Sequence, residues 1–114
     1  MTLAKYKAAQ STTEDPRNTE YRLFAQVTRS LMEIGKDIDV KAQEALYWNQ
    51  RLWIALQTDL ADEGNKLPEA LKAQLISLAI WVDKYTLNVV KGEAEVKPLI
   101  EVNRSIMEGL AQAA

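Results

Sequence analysis

The chain has 114 residues, 47% of them hydrophobic and 26% charged, with a formal net charge of −2. That is one domain with a single core, and wholesale disorder is not expected. It holds neither cysteine nor histidine. This excludes disulfides, thiolate and imidazole metal sites, and every nucleophile–base pair that needs either residue.

Taken in order, the N-terminal stretch MTLAKYKAAQ carries no apolar segment of signal-peptide type, so a cytoplasmic protein is expected. Residues 1–14 are read as an N-terminal arm. Within it, 2–10 form a short helix that must dock or fray, with Leu3 and Tyr6 on one side. Asp15-Pro16 is a helix start, aspartate capping and proline in the first turn. The spacing of Phe24, Val27, Leu31 and Ile34 then predicts a helix from Pro16 to about Gly35. Asp39 is a second cap, and a helix over roughly Val40 to Asp62 follows. Leu46, Trp53, Leu56 and Leu60 mark one of its faces; Ala45, Trp48, Leu52 and Ala55 mark another. Gly64 or Asn65 is expected to end it in the left-handed conformation.

The stretch Pro68–Lys91 is apolar round most of its girth. Leu71, Leu75, Leu78, Val82, Tyr85 and Val89 form one row; Ala73, Ile76, Ile80, Leu87 and Val90 form a second. A helix of that kind is usually surrounded, so it is read as the central helix, closed by Gly92. Its densest run is far shorter than the roughly 20 apolar residues a membrane span requires, so no membrane association is expected. A last helix runs from Pro98 to about Leu110 on Leu99, Val102 and Ile106, and 111–114 form a frayed tail. The fold class is therefore all-α: residues 1–114 make a single-domain antiparallel bundle of four main helices plus the short N-terminal helix.

Chemistry is scarce. Asp59, Asp62 and Glu63 cluster at a helix end, where charges are ordinarily solvated. A serine or threonine nucleophile would need a lysine base, and no Ser-x-x-Lys occurs. No glycine-rich phosphate loop is present. Neither an enzyme, a cofactor nor a metal is expected. Two asparagines interrupt apolar rows, Asn49 and Asn103. Each is either a buried, hydrogen-bonded brace or a group that holds a partner. Glu20 and Arg22 join them as structural polar candidates: Arg22, Arg51 and Arg104 are either solvated or locally paired, or form an internal network with Glu20 and Glu101. Trp48, Trp53 and Trp81 either cover core edges or line a groove, and Arg51 stands where it can stack on Trp48 or Trp53.

Several of these residues also carry a resemblance. Glu14-Asp15-Pro16-Arg17 followed by Thr19-Glu20-Tyr21-Arg22-Leu23-Phe24 resembles the N-terminal signature of the FlaF family of bacterial flagellar proteins. Trp48-Asn49-x-Arg51-Leu52-Trp53 and Asn65-x-Leu67-Pro68-x-x-Leu71 are similar to the middle of that family. Leu75-Ile76-Ser77-Leu78-Ala79-x-Trp81-Val82 and Pro98-Leu99-Ile100-x-Val102-Asn103 resemble its C-terminal half. Gln50 departs from the pattern, which has an arginine there. The resemblance implies a role in flagellin production and flagellum assembly, with flagellin bound in the cytoplasm before export and FlbT, a translational regulator, as a possible second partner. Together with the over-apolar central helix and the surplus tryptophans, this points to a groove for an amphipathic terminal segment of flagellin, expected to comprise Trp48, Arg51, Leu52, Ile80, Trp81, Leu87 and Val90; the alternative is that these rows are core and the site lies elsewhere.

Two other readings stay open. One is a post-transcriptional regulator acting with FlbT on flagellin mRNA. Direct RNA contact would need a basic, aromatic-bearing surface, for which Arg17, Arg22 and Arg29 are the candidates; with Glu20 and Glu33 among them, no direct nucleic-acid binding is expected. The other is a homodimeric adaptor using the same apolar rows on itself.

Overall fold

A computed structural model describes residues 16–113, with side chains described from Thr19 to Gly109. Every described regular element is a helix: α1 (Pro16–Met32), α2 (Val40–Ala61), α3 (Glu69–Val90) and α4 (Lys97–Ala113). The expected arm helix at 2–10 lies outside the described residues.

Local signals explain most of the boundaries. Asp39 caps α2, its Oδ1 accepting from the Ala42 N–H at 2.8 Å. Asp39→Ala removes that acceptor and should cost about 1 kcal/mol, read as a shift in the urea midpoint at unchanged slope. Pro68 immediately precedes α3 without a side-chain cap, and Glu69 places an acid in its first turn, complementing the helix dipole. Gly92 adopts φ +77°, and the Gly92 N–H to Val89 O and Glu93 N–H to Asn88 O bonds close α3 in a Schellman motif.

Three expectations about helix ends need correction. α1 stops at Met32, where Ile34 N–H turns back to Leu31 O at 3.1 Å. α2 ends not on a left-handed Gly64 but on Asp62, in extended backbone at φ −68°, ψ 134°. The Asp62 carboxylate and the Asn65 side chain then brace the turn by accepting from the Gly64 and Leu67 N–H groups. The C-terminal helix runs on to Ala113, because alanine and glutamine are good helix formers.

The larger correction concerns the centre. α1 packs on α4 and on α2, and α3 packs on α2. Hence α1 and α2 are the interior helices, while α3 lies at an edge. Only Ala79, Val82, Thr86 and Val89 of α3 are buried. Its apolar residues spread over more of the circumference than one neighbour can cover, and the surplus reaches the surface.

The core joins Leu23, Phe24, Val27 and Leu31 of α1 to Leu46, Leu52 and Trp53 of α2, with Val82, Val89 and Leu99 completing it. Phe24 meets Trp53 edge-on, centroids 5.8 Å apart. A buried polar chain crosses it. The Trp53 Nε1–H donates to Asn103 Oδ1 at 2.9 Å. Asn103 Nδ2 donates to Asn49 Oδ1 at 2.8 Å and to Thr28 Oγ1 at 3.1 Å. The Thr28 hydroxyl in turn faces Met107 Sδ at 3.9 Å. One asparagine thus ties α1, α2 and α4 together.

Candidate partner-binding surface

Of the two readings left open for Asn49 and Asn103, the geometry supports the brace. Both are fully buried and bonded to each other, so neither is offered at the surface. Glu20 is partly buried and Arg22 exposed on α1. Arg104 reaches Met32 Sδ at 3.6 Å, while Glu101 lies 4.0 Å from Lys97, so an Arg104–Glu101 pair is not formed.

The seven residues expected to line one groove are not brought together. Leu52 is only 4% exposed and belongs to the core cluster, with Ala45 and Ala55 of its row. Trp48, 39% exposed, borders an open hollow of about 230 Å³ between the end of α1 and the start of α2, beside Ile34, Ala42 and Ala45. Trp81 is 37% exposed but committed on one face, stacked on Tyr85 with centroids 4.7 Å apart. Tyr85 is itself pinned, its hydroxyl donating to Glu95 O at 2.8 Å. Burial, with the Glu95 carboxylate nearby, holds that phenol above its ordinary value. Arg51 does not stack on a tryptophan. Its guanidinium lies over the Tyr47 ring, 5.6 Å from the centroid, one turn back along the same helix.

Ile80 and Leu87 do fall together. Seven residues apart, they share one face of α3, 44% and 52% exposed. Ile76 precedes them on that face and Val90 follows Leu87 by three residues. Across from Ile80 stands Ile54 of α2, 53% exposed. Between the two helices runs an open trough of about 220 Å³, with Ile54 and Ile80 as walls and Ala79, Val82 and Trp53 beneath. Its polar members are Gln50 and Gln57 on α2 and Asp83 on α3. Gln50 Nε2 donates to Asp83 Oδ1 at 3.4 Å, bridging the helices.

Sequence reasoning missed Ile54, Asp83 and Gln50 as members of this surface. A signal existed for the first. Ile54 and Tyr47 lie seven apart on α2, away from both of its core rows, so their apolar bulk is not needed for packing. Nothing in spacing alone brings Asp83 opposite Gln50; that requires the register of α2 against α3.

The surface carries no clustered chemistry. Among the described residues no three carboxylates gather as a metal site, and no helix is long and apolar enough to cross a membrane. Its chemistry is apolar burial with one carboxylate at the rim.

In comparisons with known proteins, the family model described as "Flagellar protein FlaF" matches residues 2–110. No curated protein and no solved structure matches the chain.

Proposed function

The chain belongs to the FlaF family of flagellar proteins, and from that premise we propose that it binds flagellin in the cytoplasm as a non-catalytic secretion chaperone. Flagellin held in this way is withheld from assembly until it is released; the second reading is a post-transcriptional regulator of flagellin production that acts with FlbT on the messenger. The observation that carries the reading is the unequal burial of α3. Twenty-two residues of high apolar content bury only Ala79, Val82, Thr86 and Val89. Leu71, Ile80, Trp81, Leu87 and Val90 stay exposed. Apolar surface left exposed along an edge helix, with Ile54 of α2 beside it, is what a partner's amphipathic segment needs. The net charge of −2 favours keeping the free protein dispersed despite that surface.

Unassembled flagellin mixed with the protein should co-elute with it in size exclusion and resist aggregation. Separate elution and unchanged aggregation would reject the reading. Retention of flagellin mRNA, lost on adding salt, would then favour the regulator acting on the messenger.

A further inference from the structure

We propose that the trough between α2 and α3 seats one amphipathic α-helix, whose apolar stripe is flanked by a lysine or arginine that meets Asp83. This rests on the flagellin-binding reading and names where on the protein, and by what chemistry, the segment is held.

The trough is shaped for a helix. Its walls, Ile54 and Ile80, stand on two helices packed side by side, and by helical spacing Ile76 and Leu87 continue the Ile80 face of α3 beyond it. From Ile76 to Leu87 is eleven residues, about 16 Å or three turns. Described regular structure is helical throughout, so no sheet edge offers backbone groups to an extended peptide. A third helix laid along this line would bury its residues at spacings of three and four against Ile54, Ile80 and Leu87.

Charge selects the occupant. Asp83 is the sole charged side chain lining the trough. It spends one oxygen on a long 3.4 Å contact with Gln50, a neutral donor. A carboxylate beside apolar walls gains more from a cation than one in open water, since an arriving helix displaces the screening solvent. A second copy of this chain is the poorer occupant. Asp83 lies between Ile80 and Leu87 along the stripe, so a two-fold contact centred there sets Asp83 against its own copy.

The test is the affinity of purified flagellin for the intact protein and for Ile80→Asp, Leu87→Asp, Asp83→Asn and Asp83→Lys. Met32→Gln on α1, outside the trough, serves as control. Ile80 and Leu87 are about half exposed and outside the core cluster, so these variants should keep the wild-type circular dichroism and melting curve. Ile80→Asp and Leu87→Asp should each weaken binding by about tenfold or more. Asp83→Lys should weaken it by about tenfold and Asp83→Asn by less, with Asp83→Lys also reducing the salt dependence of binding. Met32→Gln should bind as wild type does. Wild-type binding left unchanged by all four trough variants overturns the trough as the seat. Loss at Ile80 and Leu87 with Asp83→Lys neutral overturns the basic flank. No binding by the wild type overturns the flagellin reading itself, and this assignment with it. Light scattering on the free protein gives the remaining outcome: a dimer dissociated by Leu87→Asp would assign the surface to a second copy.

Discussion

Trp53→Ala should be the most damaging single substitution among the described residues, costing about 3–5 kcal/mol in urea unfolding. Trp53 is 1% exposed, touches Phe24 edge-on and donates the bond that fixes Asn103. Truncation opens the largest possible cavity at the junction of α1 and α2 and leaves Asn103 Oδ1 without its donor. Against a total stability of the usual 5–15 kcal/mol, that removes a large fraction of the folded population's margin. Trp53→Phe separates the two contributions, keeping most of the ring and losing the N–H. It should cost about 1–2 kcal/mol plus whatever void the smaller ring leaves. A loss below about 1 kcal/mol for Trp53→Ala would mean that this junction is not the core.

Asn103→Leu is expected to rank close behind, at about 2–4 kcal/mol, although it adds apolar volume without large change of size. The cost comes from the partners left behind. The Trp53 N–H and Asn49 Oδ1 stay buried, and each has just lost the group that bonds it. Asn49 Nδ2 already makes no hydrogen bond among the described residues, so Asn49 has nothing to fall back on. A double change, Asn49→Leu with Asn103→Leu, removes both amides together. It should cost less than the sum of the single changes, by about 1 kcal/mol or more, because neither amide is then left buried without the other. Strict additivity would show that the two asparagines do not act as a unit.

These two residues also mark what was readable in advance. Asn49 and Asn103 stood out because each broke an apolar row, and a polar residue in a core row must find a partner or a purpose. Periodicity identified both but could not say that they answer each other, since the pairing depends on how α4 crosses α2. Phe24, Val27 and Leu31 were readable as one buried face because α1 shows a single stripe and buries it. The same logic misled at α3. Its two apolar rows imply enclosure, whereas one row packs on α2 and most of the other is left outside. Composition of a helix records how much apolar surface it carries, not who covers it. A helix that leaves apolar surface uncovered looks, in sequence, like a core helix. The same limit holds for Leu52 and Ile54, since spacing alone does not tell which of them is buried. The two lie 160° apart round α2, and only the position of α3 decides which points outward.

The central claim, that this surface holds flagellin, is tested most directly by titration calorimetry of the full chain against its own flagellin, intact and with each terminal segment removed. Binding of intact flagellin, abolished by removing one terminal segment and retained on removing the other, is the predicted result and names the segment held. Absence of heat and of co-elution with every form would contradict the claim.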